Sequence, residues 1–109
     1  MTFSELIQEV KKHPSAEIRF DNDHRFEFVV TVHTALRLQH ALEEYFGFAL
    51  KPASKAPDQA AKSVARNFGG IRKDQTLYCR EEDDQIHLAM IWPWSDGQTA
   101  TVKIFNLTK

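Results

Sequence analysis

The stretch HLAMIWPWSDGQTATVKIF, His87–Phe105, is two strand-like runs around one turn, and the closure of that turn decides the fold of the C-terminal third. With Ser95-Asp96-Gly97 as a three-residue hairpin loop and Gly97 left-handed, Trp94 opposes Gln98. The pairs behind it are Trp92 with Ala100, Met90 with Val102 and Leu88 with Ile104, all apolar and all on one face. A second loop centred on Glu82-Asp83 sets Arg80 against Gln85, Cys79 against Ile86 and Leu77 against Leu88, which lands on the same face. The reverse face of this meander then holds Tyr78, His87, Ala89, Ile91, Thr101, Lys103 and Phe105, a set too apolar for plain solvated surface. Trp92 falls on the inward face. Trp94, next to the turn, caps the sheet end with one ring face accessible.

Upstream, the pattern alternates between helical and extended. TFSELIQEVKKHP has Thr2 and Glu5 in capping-box spacing, with Phe3, Leu6, Ile7 and Val10 along one helical face. AEIRFDNDHRFEFVVTV switches to period two. Ile18 and Phe20 precede a polar Asp-Asn-Asp-His cluster, and Phe26, Phe28, Val30 and Val32 follow on one face, so the segment reads as a hairpin. A second helix is expected from about Thr34 to Phe46, stopped by Gly47. Residues 48–57, with two prolines and little patterning, read as a flexible connection. A third helix follows from Pro57 or Asp58 to Phe68, buries Ala61, Val64, Ala65 and Phe68, and ends at Gly69-Gly70.

The expected architecture is one α+β domain over residues 1–109, in the order α-β-β-α-α-β-β-β, with an antiparallel sheet packed against a helical layer. The first hairpin is placed in the same sheet as the meander, because a lone hairpin is marginally stable. At 109 residues, 42% hydrophobic and 27% charged with a formal net charge of -1, the chain suits one modest core. One cysteine, Cys79, excludes an internal disulfide framework, and no apolar run is long enough to span a bilayer. A reducing cytoplasm is the expected compartment, with no membrane partner.

No catalytic constellation emerges. His33 and His40 stand seven apart, roughly 10 Å along a helix and too far to share one metal. His13 belongs to a helix C-terminus and His24 to a turn. Cys79 falls on the core face, where a thiolate is disfavoured. Glu81–Asp84 lacks the spacing of a calcium loop, and Gly69-Gly70 that of a phosphate-binding loop. No enzyme activity, cofactor or metal is expected. His87, between Tyr78 and Phe105 on the reverse face, is the most unusual histidine, and packing is its ordinary role.

Charge is unevenly spread. Between Lys51 and Lys73 six basic residues face Asp58 alone, a net of +5, whereas Asp74–Asp84 carries five carboxylates against Arg80, a net of -4. Two functions follow as expectations. The first is a non-enzymatic protein-interaction module, with self-association as one form, working through Tyr78, His87, Ile91, Phe105 and Trp94. The second is binding of RNA or another anionic polymer along Lys55, Lys62, Arg66, Arg72 and Lys73.

Overall fold

Asp96 sets the C-terminal hairpin. Its Oδ1 accepts from the backbone N–H groups of Gln98 (2.9 Å) and Thr99 (3.0 Å), and its Oδ2 accepts from the Thr99 hydroxyl at 2.7 Å. This side-chain-to-backbone turn holds four residues, Ser95–Gln98, in the loop, with Gly97 at φ 70 and the Trp94 N–H donating to Thr99 O at 2.9 Å. The expected three-residue loop is therefore one residue too short. Trp92 pairs with Thr101, Met90 with Lys103 and Leu88 with Phe105, so every side chain of the last strand faces opposite to expectation. The preceding turn is Asp83-Asp84, with Asp83 at φ 45 and Glu82 paired with Gln85. That displaces the expected pairing by two residues, to Cys79 with Leu88 and Leu77 with Met90, and leaves the faces unchanged.

The computed structural model describes residues 1–108. Its elements are α1 (Phe3–Lys11), β1 (Glu17–Asp21), β2 (Arg25–Thr31), α2 (Val32–Phe46), α3 (Gln59–Ala65) followed by a 3-10 turn (Arg66–Phe68), β3 (Thr76–Glu82), β4 (Gln85–Pro93) and β5 (Thr99–Thr108). The order is that expected from the sequence. All five strands form one antiparallel sheet, β1-β2-β5-β4-β3, and the N-terminal hairpin joins the meander through β2 against β5.

Local chemistry explains the boundaries. Thr2 and Glu5 close a reciprocal capping box on α1. Thr31 caps α2 by accepting from the Thr34 N–H, so the helix starts at Val32, straight out of β2 and earlier than the apolar period indicates. Asp58 caps α3 through the Ala61 N–H, and Gly69 ends the 3-10 turn at φ 95. A Cβ at Gly69 would stand 2.7 Å from the Trp92 ring, so the position needs glycine for space as well as conformation.

The sheet is covered unequally. On one face, Leu6 and Val10 of α1 and Leu38, Leu42 and Tyr45 of α2 pack on Phe26, Phe28, Val30, Tyr78, Ala89, Ile91, Val102 and Ile104. Burial there, and secondarily Glu43, pushes the Tyr78 hydroxyl up to about 12. On the other face α3 and its 3-10 turn cover Leu77, Leu88, Met90 and Phe105, with Cys79, Ile86, Trp92 and Leu107 packed at the margin, all from β3, β4 and β5, so the β1-β2 half carries no helix. α1 and α2 thus form the expected helical layer, and α3 lies on the opposite face.

The connection expected to be flexible is anchored midway. Lys51 exchanges backbone hydrogen bonds with Leu77, and its buried ammonium donates to the carbonyls of Lys73 and Gln75. Burial lowers the pKa of that ammonium, with Asp74 opposing. Lys51, counted above among the basic residues, is a structural tie.

Candidate functional site

Tyr78, His87 and Ile91 do share a sheet face, but it is the face that α1 and α2 cover, and all three are buried. Phe105 is on the opposite face with its ring centroid 5.0 Å from that of Phe68. The expected interaction face is thus core, and only Trp94 of that set is exposed. The basic residues Lys55, Lys62, Arg66, Arg72 and Lys73 are all exposed. Arg72 and Lys73 line an open depression with Ser54 and Asp74, and the Ser54 N–H to Lys73 O bond (2.9 Å) brings Lys55 to its rim. Asp74 sits 3.9 Å from Arg72 and partly neutralises the depression. Lys62 and Arg66, on α3 and the 3-10 turn, do not line it.

His87 belongs to a buried polar bridge. Its Nδ1 is 2.5 Å from the Tyr45 hydroxyl, and its ring lies 4.2 Å from that of Phe3. Burial lowers the imidazole pKa, with Asn106, its cross-strand neighbour, opposing. Burial likewise raises the Tyr45 hydroxyl. The hydrogen bond between the Tyr45 hydroxyl and the His87 imidazole ties α2 to β4. Arg80 completes the bridge, donating to Tyr45 O at 2.9 Å with its guanidinium 4.5 Å from the Tyr45 ring centroid. A cavity of about 40 Å³ lies nearby under Phe3, Arg25 and Asn106, and His87 does not line it. The histidine thus joins helix and sheet.

The helix-free half of the sheet is different. Three cross-strand rows run out from under α3 onto it: Leu88, Phe105 and Arg25; then Met90, Lys103, Glu27 and Phe20; then Trp92, Thr101, Val29 and Glu17. Charged groups alternate with rings. The Lys103 ammonium is 3.3 Å from the Trp92 ring centroid, and the Arg25 guanidinium is 3.9 Å from that of Phe20 and 5.5 Å from that of Phe105. Arg25 also contacts the Glu27 carboxylate at 2.5 Å. Arg19 lies 5.7 Å from the Trp94 ring and 3.6 Å from Glu17. The Trp94 indole N–H donates to the Thr101 hydroxyl at 2.8 Å, which lays the ring across the sheet.

Burial lowers the Lys103 pKa, with Glu27 opposing, so this cation is held against Trp92 partly out of water. Trp94 and Phe20 nevertheless keep 40% and 43% of their surface exposed. An irregularity in β1 between Ile18 and Phe20 shapes the margin, turning Ile18 toward the helix-covered face and Phe20 toward the open one.

Sequence reasoning found Trp94 and missed Arg19, Phe20, Arg25, Glu27 and Lys103. A signal was present in RFEFVVT, where Arg25 and Glu27 alternate with Phe26 and Phe28 and mark a polar second face. Among the described residues no cluster of histidine, cysteine and carboxylate side chains could hold a metal ion, and no helix is long and apolar enough to cross a membrane. Comparison with protein-family models, curated proteins and solved structures finds no match.

Proposed function

We propose that this chain is a non-catalytic protein-interaction module whose working surface is the helix-free half of its sheet. The observation that carries the reading is the exposure of Trp94 and Phe20 on the open face, each beside an arginine that a carboxylate or a ring already orients. Tryptophan and arginine dominate binding energy at protein interfaces because they offer large area with directed donors. Ordering them beforehand lowers the entropy lost on binding. Net charge on the patch is small, since Glu17 and Glu27 offset much of Arg19, Arg25 and Lys103, which favours a mixed protein surface over a polyanion.

A photo-crosslinking residue at position 94, with the same group at Lys62 on α3 as the control, tests the reading in extract of the source cell. Discrete protein adducts specific to position 94, and lost when Arg19→Glu and Phe20→Ser are added, are expected. Equal adducts from both positions, or adducts removed by ribonuclease, overturn it.

A further inference from the structure

A second surface, on the far side of the molecule from that face, belongs to α2. His33, Leu36, Arg37, His40, Glu43 and Glu44 are all exposed and recur at helical spacing, so they form one stripe. The charges on the stripe run against the helix itself. α2 has no carboxylate in its first turn and no cation in its last, where Glu43 and Glu44 instead face the negative end of the helix dipole. An isolated surface helix gains nothing from that arrangement.

The two ends of α2 also differ in shape. At its N-terminal end a groove of about 180 Å³, lined by Val32, Ala35, Leu36, Ala53 and Pro93 among others, opens between helix and sheet, and Leu36 beside it is 60% exposed. Just past its C-terminal end, Phe48 is 96% exposed. A knob and a hole at opposite ends of one helix, with opposite charges between them, are what a self-complementary contact requires.

We infer that α2 pairs antiparallel with α2 of a second copy of this chain, about a twofold axis at His40. That register places Arg37 of each copy level with Glu43 and Glu44 of the other, because residues 37 and 43 lie equally far on either side of position 40. The same register carries Phe48 of each copy to Val32, at the groove end of the other. Each contact occurs twice. The cations then lie beside the carboxylates of the neighbouring C-terminus, and two antiparallel dipoles oppose each other, so the charge pattern that is unfavourable in one helix becomes favourable in two. The second copy is the occupant that this charge pattern selects, since a generic apolar partner would leave Arg37, Glu43 and Glu44 unmatched.

Sedimentation equilibrium over a dilution series of the whole chain tests this. The parent protein is expected to dimerise, Arg37→Glu to weaken the dimer at least tenfold by setting like charges opposite each other, and Phe48→Ser to weaken it without changing the melting temperature of the monomer. Mixing Arg37→Glu with the Glu43→Arg, Glu44→Arg variant is expected to restore a heterodimer, which a folding defect in either variant cannot do. Trp94→Ser should leave the dimer constant unchanged, which separates this surface from the sheet face. A strict monomer at every concentration, a dimer indifferent to Arg37→Glu, or charge-swapped variants that fail to rescue each other overturns the inference.

Discussion

Phe26, Phe28 and Val30 alternate along β2 with Arg25, Glu27 and Val29, and the two sets are buried by different means. The first set meets α1 and α2, and its burial is ordinary core packing. The second lies on a half-face with no helix above it, yet Glu27 and Val29 are nearly as buried. Their cover is made of long side chains from the same sheet: Arg25, Lys103, Phe20 and Trp94 lie along it, stems inward and polar ends or ring edges outward. One face is sealed by elements brought from elsewhere in the chain. The other is sealed by side chains that a partner would also touch, so its stability and its recognition chemistry draw on the same atoms.

The largest effect should come from the helix-covered face. Leu42 is fully buried among the core side chains, so Leu42→Ala should lower the unfolding free energy by about 2–5 kcal/mol, from lost transfer energy plus the cavity left behind. Urea denaturation with an unchanged slope measures it. A loss well under 1 kcal/mol would mean that α2 is not sealing that face and would remove the contrast with the open half.

Glu27 tests the other means of burial. Removing its carboxylate in Glu27→Leu leaves Arg25 and Lys103 without their shared counter-charge, at a cost of about 1–3 kcal/mol. Adding Lys103→Leu should recover part of that loss, because an apolar pair of similar shape needs no counter-ion. Strictly additive losses in the double mutant would show that the two groups do not act together and that the open face is not held by its charges.

These contrasts also explain what could be read from the sequence. The helix starts at Thr2 and Asp58 were legible because a cap is decided within four residues. The turn at Asp96 was not. Whether that carboxylate takes the Gln98 and Thr99 N–H groups depends on a competition between side chain and backbone, and the winner added one residue to the loop. That single residue reversed β5 and moved Thr101, Lys103 and Phe105 off the face shared by Tyr78, His87 and Ile91. The side of the sheet that α3 occupies, and the burial of Lys51 beside β3, follow from the path of the chain across the sheet, which composition and period do not encode.

A smaller effect is expected from His87 on the covered face. Its folded pKa lies below the ordinary 6.5, so the unfolded chain binds the proton first as pH falls. Stability is therefore complete above pH 6.5, declines as pH drops through that value, and levels off once the folded-state pKa is passed. In His87→Gln, whose amide oxygen can still accept from Tyr45, this component of the pH slope should vanish while stability at neutral pH changes little. A slope identical to that of the parent protein would place the acid sensitivity elsewhere.

Trp94→Ser should change stability least of all, and that is its value. The ring gives up one hydrogen bond to Thr101 and a long-range contact with Arg19, and with 40% of its surface already in water it loses little burial, so about 1 kcal/mol or less is expected in thermal or urea unfolding. Partner capture at position 20, measured with a crosslinker placed there, should nevertheless fall away in the same variant, because Trp94 provides much of the exposed apolar area on that face. The two readouts separate a side chain that seals the sheet from one that recognises a partner. A large stability loss with capture unchanged would make Trp94 merely a lid over Thr101 and Val29, and the open half would then differ from the covered one only in the material of its cover.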